Sequence, residues 1–283
     1  MKIINTDVTV DYSPLGLGFV SLEDEFINKA GVTDPTTKAA IKKLKADLVA
    51  NNLWYITAND QFYLFIGSTQ ASQKWVLGAN HVYALTENGA GAMTHGAAGV
   101  TGTGSGTQQY YTTDLTPPAV MTPGATMGFV AKNASARATN TNVFGYAGEN
   151  TGGVANTRLS FGTGGTSPII VNYAIGLAAA SNNADITAQT AAFWQVAGDN
   201  TSTSLMKDAL EIKTTTQAVS MVGGGTRQIN LMAGMVQSSG APGSTTATDL
   251  QIAFAYIIWQ KLTVLQRQTM RTIVNTFLTS IGR

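Results

Sequence analysis

Two histidines, His81 and His95, and an absence of cysteine bound the metal and nucleophile chemistry open to this 283-residue chain. Without cysteine there is no disulfide, no thiolate nucleophile and no sulfur ligand for zinc. The histidines are separated by a Gly/Ala-containing segment and lack the spacing of a zinc pair. No run of alternating Asp and Asn resembles a calcium loop. Gly102-Thr103-Gly104-Ser105-Gly106 comes nearest to a nucleophile elbow, but its serine is not framed as Gly-x-Ser-x-Gly. No Lys-Ser/Thr follows those glycines, so they do not form a phosphate loop, and they read as turn formers. Glycoside hydrolysis needs two carboxylates facing across a cleft. Glu23 and Glu25 have strand-pair spacing but fall in a helical segment, and Glu149, Asp185, Asp199, Asp208 and Glu211 are isolated or in loops. Asp208 and Glu211 flank a strand start, as at a hairpin edge. The expectation is a non-catalytic protein with no cofactor and no metal. Trp75, Trp194 and Trp259 fall inside apolar runs and read as core. Tyr110 and Tyr111, together with His95, are the candidate glycan contacts.

Composition narrows the partners. Only 12% of residues are charged, about half the usual ~25%. A weakly charged Thr- and Gly-rich surface suits a protein covered by copies or neighbours better than a free cytosolic enzyme. With a net charge of +1, no global field draws in nucleic acid or an anionic membrane. Lys38, Lys42, Lys43 and Lys45 stand at helical spacing and read as a solvated face. Residues 1–20 show no signal-peptide pattern. No run of ~18 apolar residues spans a membrane. The expected protein is made in a host cytoplasm and stays soluble until used.

The elements that would position these residues follow from period and punctuation. Thr6, Val8 and Val10 alternate with Asp7, Thr9 and Asp11, so residues 1–20 read as an extended arm, closed by Pro14, Gly16 and Gly18. The arm could pair within its own domain or with a neighbour. Residues 21–53 form a helical segment: Ser21 caps Leu22–Ala30, Gly31 ends it, and Asp34-Pro35 opens a second helix bearing Ile41, Leu44 and Leu48. Residues 54–283 read as a β-sandwich with a terminal helix, forming one compact domain with 21–53. Its expected strands are Phe62–Ile66, Trp75–Leu85, Thr126–Ala131, Val143–Tyr146, Arg158–Phe161, Ile169–Ile175, Ala191–Val196, Leu210–Thr214, Ile229–Gln237 and Leu250–Trp259. Segments 89–106, 162–165, 223–225 and 238–244 read as loops and hairpin turns. Thr263 caps a last amphipathic helix with Met270, Ile273, Val274, Phe277, Leu278 and Ile281 inward, Arg267 and Arg271 outward, and Gly282 ending it.

Several segments match a known pattern: Phe26-Ile27-Asn28-Lys29-Ala30-Gly31-Val32-Thr33-Asp34, Leu53-Trp54, Gln73-Lys74-Trp75-Val76-Leu77, Thr94-His95-Gly96 and Tyr110 through Asp114-Leu115. The ending adds Ala253-Phe254-Ala255, Leu262-Thr263, the amphipathic helix and Ile281-Gly282-Arg283. In this order they resemble a family of tailed-bacteriophage structural proteins, common in phages of Bacteroidetes-type hosts. The likeness covers both ends and the first third, whereas residues 133–243 match in texture alone. The chain has Ala58-Asn59-Asp60-Gln61-Phe62 where the family carries a Pro-containing stretch, and Trp75-Val76-Leu77 where Trp-Asn-Leu is usual. The resemblance implies a mainly β, concanavalin A-like or laminin G-like jelly-roll sandwich, with two N-terminal helices and one C-terminal helix. It also implies a surface-exposed, multi-copy virion protein, either a capsid decoration or head fibre or a tail appendage. Its partners would be other virion proteins and copies of itself. A carbohydrate-binding host-recognition module that contacts a host surface glycan is the alternative, and a glycan hydrolase a remoter one.

Overall fold

The computed structural model describes residues 20–54, 56–89, 93–102, 109–113, 124–133, 141–147, 156–163, 169–177, 182–186, 191–216, 230–231 and 250–283. The arm, residues 1–19, lies outside them, as does most of the expected strand at 229–237.

The helices begin and end where side chains satisfy their backbone. In α1 (Leu22–Lys29) Ser21 Oγ accepts from Asp24 N at 3.2 Å and donates to the Asp24 carboxylate at 2.8 Å. α2 (Pro35–Ala50) is capped by Asp34, which accepts from Thr37 N at 2.7 Å, with Pro35 in the first turn. α3 (Gln70–Gln73) is a single turn capped by Thr69. α4 (Val264–Ser280) opens on a reciprocal Thr263–Gln266 box. It closes through Gly282 at φ 74°, which lets Arg283 N reach Leu278 O at 2.8 Å; only glycine adopts that left-handed turn without penalty.

The strands are β1 (Gln61–Tyr63), β2 (Trp75–Gly78), β3 (Val82–Ala84), β4 (Thr86–Gly89), β5 (Thr94–Gly96), β6 (Gly99–Thr101) and β7 (Gln109–Thr112). They continue with β8 (Ala125–Ala131), β9 (Thr141–Ala147), β10 (Asn156–Thr163), β11 (Ile169–Leu177), β12 (Asn182–Ile186) and β13 (Ala192–Gly198). The last are β14 (Ser202–Lys207), β15 (Leu210–Thr216), β16 (Asn230–Leu231) and β17 (Gln251–Ile258). Among the described residues, the larger sheet runs β15-β14-β13-β8-β17-β1-β2-β3, with β6 also on β17 and β5 on β6. The smaller runs β12-β11-β10-β9-β16-β7-β4, and all pairings are antiparallel.

Alternation along the larger sheet builds two cores. Tyr63, Val76, Met127, Phe129, Trp194, Val196 and Ile257 face the smaller sheet, which supplies Tyr111 and Leu231. Phe62, Leu77, Val130, Phe193, Phe254 and Tyr256 face outward and are covered by Phe26, Ile41, Leu44, Leu48, Ile273 and Phe277 of the helices. The result is three layers: helices, large sheet, small sheet. Buried on both faces, the central strands read as continuous apolar runs. A bulge between Ile252 and Phe254 turns both Ala253 and Phe254 to the helices, so the strand keeps facing two cores without a fixed period of two.

Three expectations need correction. The run Trp75–Leu85 is not one strand, because it folds back as β2 and β3 with Gly78 N donating to His81 O at 3.0 Å. A Cβ at Gly78 would stand 2.6 Å from that carbonyl oxygen, so glycine makes the turn. Segment 89–106, expected as a connector of loops and hairpin turns, itself contains two strands, the β5–β6 hairpin against β17. Arg267 does not point outward. It is 1% exposed beneath α4, donating through Nη2 to Ser204 Oγ at 2.8 Å and Glu211 at 2.9 Å.

Candidate functional site

Among the described residues, a polar node around His95 joins separate elements. Gln73, at the end of α3, is fully buried, and its Nε2 donates to Gly67 O at 2.8 Å and Gly96 O at 2.7 Å. Its amide oxygen is thereby left to face His95 Nδ1 at 2.9 Å. His95 Nε2 lies 3.2 Å from Glu87, and both side chains are 10% accessible. The Glu87 carboxylate also accepts from Gln70 Nε2 at 2.6 Å and Met93 N at 2.9 Å. Glu87 belongs to β4 of the smaller sheet, His95 to β5 of the larger, so the node fastens one sheet to the other at their edge.

The last residue described extends this node. Arg283, aimed by the Gly282 turn, donates to Phe65 O at 2.8 Å and to Gly67 O at 3.2 Å. Burial lowers its guanidinium to about 10, still charged at neutral pH. Phe65 has φ 48°, a left-handed conformation costly for an aromatic residue. The Arg283 bond and the stacking of Phe65 on Tyr63 and Tyr111 hold it there.

Of the three glycan candidates, the side chains of Tyr111 and His95 are described. Tyr111 is fully buried, its ring edge-on to His95 at 6.3 Å, and burial followed by the Glu87 charge pushes its phenol well above the ordinary tyrosine range. It is a core ring because β7 points it into the sandwich. His95 is mostly covered and has both ring nitrogens committed. Tyr110 lies in β7, with its side chain outside the described residues. His81 is exposed and bonded to Asn80 Oδ1 at 2.5 Å.

The candidate acids are committed too. Asp199 closes the β13–β14 turn through Thr201 and Ser202 and pairs with Lys261 at 3.1 Å. Asp208 makes the β14–β15 turn at φ 52° and faces Arg271, while Glu211 holds Arg267 and Thr214. Glu149 lies outside the described residues, as does the side chain of Asp185. Of the four clustered lysines, Lys42 pairs with Asp24 and Lys45 with Glu23, tying α2 to α1, and Lys43 pairs with Asp47 within α2, each at 2.7 Å. Among the described residues no group of three His, Cys, Asp or Glu side chains could hold a metal, and no helix is long and apolar enough to cross a membrane.

The node was not anticipated from the sequence as a unit. Its parts, Gln73, Glu87, His95 and Arg283, lie in four distant segments, and only the resemblance drew Gln73, His95 and Arg283 together.

No protein-family model and no curated protein matches the chain. Among solved structures it is similar to Trypanosoma rangeli sialidase, at 14% identity and TM-score 0.50, over 85% of this chain and 39% of that one. A mutant of that sialidase displaying trans-sialidase activity aligns at 13% identity and TM-score 0.51, over 93% and 39%. Domain 4 of AbnA, a GH43 extracellular arabinanase from Geobacillus stearothermophilus, aligns at 12% identity and TM-score 0.48, over 74% and 96%. The chain thus spans 39% of the sialidase's length. At such identity the likeness is one of fold. The chain is a concanavalin-like β-sandwich with a helical layer.

Proposed function

We propose that this chain is a non-catalytic structural protein of a bacteriophage particle, present in many copies on its surface. The observation that carries this is where the phage-like segments come together. Phe26, Ile27 and Ala30, Leu53, Leu77, Ala253 and Phe254, Leu262 and the α4 stripe all enter the single core between helices and large sheet, with Trp54 and Trp75 at its margin. Gln73, His95 and Arg283 enter the node described above. Segments from near both ends of the chain therefore carry one scaffold, a pattern of packing and fastening among the described residues. The commitment of the described candidate acids to turns and arginines supports the same reading. Quantitative mass spectrometry of gradient-purified particles tests it. The chain should co-purify at a stoichiometry comparable to other multi-copy structural proteins, and its absence from intact particles would refute the role.

A glycan-binding role is the second reading, favoured by a fold shared with part of a sialidase. It rests on fold-level analogy. A glycan array with the purified chain decides it.

A further inference from the structure

The partners of His95 fix where its protons sit. The Gln73 amide nitrogen commits both hydrogens, to Gly67 O at 2.8 Å and Gly96 O at 2.7 Å. Its amide oxygen, an acceptor, therefore faces His95 Nδ1 at 2.9 Å, and Nδ1 carries a hydrogen. In a neutral imidazole Nε2 is then a bare lone pair. That atom stands 3.2 Å from Glu87 Oε2, a second acceptor, where both side chains are 10% accessible. Two lone pairs facing each other away from water repel. A hydrogen between them turns the contact into a charge-assisted bond.

We propose that the node holds that hydrogen as a buried imidazolium–carboxylate pair, so that the fastening of β4 to β5 depends on pH. Glu87 suits the anionic role, since Oε2 also accepts from Gln70 Nε2 at 2.6 Å and Oε1 from Met93 N at 2.9 Å. Among the described residues, the other groups around the ring do not overturn this. From β7, Tyr111 meets the ring edge-on at 6.3 Å, and burial followed by the Glu87 charge keeps its phenol neutral. α3 brings the amides of Gln70 and Gln73, and Lys74 beyond it turns to the Trp75 ring at 5.3 Å. β5 and β6 carry no ionisable side chain besides His95, and β17 places Gln251 and Ile252 opposite β6. After α4, Arg283 is the opposing cation, donating to the same Gly67 O as Gln73. A carbonyl and an amide lie between it and the ring, whereas Glu87 is in contact, so attraction outweighs repulsion.

The folded chain thus keeps a proton that an unfolded histidine releases above pH ~6.5. Its contribution to stability is full below that pH and is lost as pH rises through the value of the folded pair. This is a property of the purified chain, independent of the proposed virion role.

With two histidines in the sequence, His81→Gln leaves a single imidazole to observe. Long-range proton–nitrogen correlation of 15N-histidine-labelled His81→Gln at pH 7 should show both ring nitrogens protonated. Adding Glu87→Gln should leave a neutral ring with hydrogen on Nδ1 alone, because the new amide donates to Nε2. Calorimetric unfolding in buffers of different ionisation enthalpy counts the same proton. At pH 7 the parent should release about 0.75 proton on unfolding and Glu87→Gln should take up about 0.25, a difference of about one per chain. A bare Nε2 in the His81→Gln chain at pH 7, or a proton count unchanged by Glu87→Gln, would overturn the proposal.

Discussion

Replacing Arg267 by methionine should leave stability within about 1 kcal/mol of the parent, whereas removing its partner by Glu211→Ala should cost about 2–3 kcal/mol. The asymmetry follows from burial. The Arg267 side chain is 2% accessible, and only Nη2 has partners, while Nε and Nη1 are buried without any. Burial also pulls the guanidinium below the ordinary arginine range, against the upward pull of Tyr256 and Glu211. Methionine loses the charged bond to Glu211, about 1.5–3 kcal/mol, and the Ser204 bond, about 1 kcal/mol. It also removes two orphaned donors at about 1–3 kcal/mol each, and the desolvation of a charge. These roughly cancel for a side chain of similar length. Glu211→Ala keeps the buried cation and takes away its carboxylate. Breaking a fully buried pair this way costs about 3–5 kcal/mol, and Glu211, 34% accessible, places this case lower. Urea unfolding of the two variants and the double mutant reads the difference directly, provided that slopes match. If Arg267→Met lost more than about 3 kcal/mol, or Glu211→Ala nothing, the ledger for this pair would be wrong.

Glu87→Ala should cost about 2–4 kcal/mol, because it strands His95 Nε2 and Met93 N, lowering the melting temperature by roughly 5–12 °C in calorimetry; an unchanged melt would mean that the sheets need no fastening at this edge. Phe277→Ala, at a ring 2% exposed and edge-on to Phe254 at 6.2 Å, should cost about 3–5 kcal/mol, and a smaller loss in denaturant unfolding would make α4 a loosely docked accessory. For Asp199, burial raises the pKa, but bonds from Thr201, Ser202 and Lys261 outweigh it and bring the carboxyl down to about 2. Its folded pKa thus lies below its unfolded value, so its contribution is full above pH ~4 and disappears as pH falls through 2. Being partly solvated, it is worth about 1 kcal/mol after screening, and the stability gap between parent and Asp199→Asn should close between pH 4 and pH 2; a constant gap contradicts the assignment.

The helices were legible because their signals are local: Ser21, Asp34-Pro35 and Thr263 open them, and Gly31, Asn52 and Gly282 close them with positive φ. Arg267 shows where residue type misled. It stands three residues before Met270, on the buried stripe by period, and its charge alone argued for solvent. β2 and β3 merged in the sequence because Gly78 sits inside an apolar run, and the turn is visible only through its bond to His81. β5 and β6 were hidden by glycine that serves close packing: a Cβ at Gly99 would stand 2.2 Å from Ile252 O. The His95 node was the least legible part, since hydrogen bonds spanning 22 and 23 residues to Gln73, and Arg283's reach across 216 residues to Gly67, leave no local period.

The most direct test of the proposed virion role is a cryo-electron microscopy reconstruction of particles from any phage found to carry this sequence. The three-layer body, with α1, α2 and α4 covering the large sheet, should fit density repeated at symmetry-related surface positions. A fully interpreted particle map with no density for this sandwich would contradict the structural role.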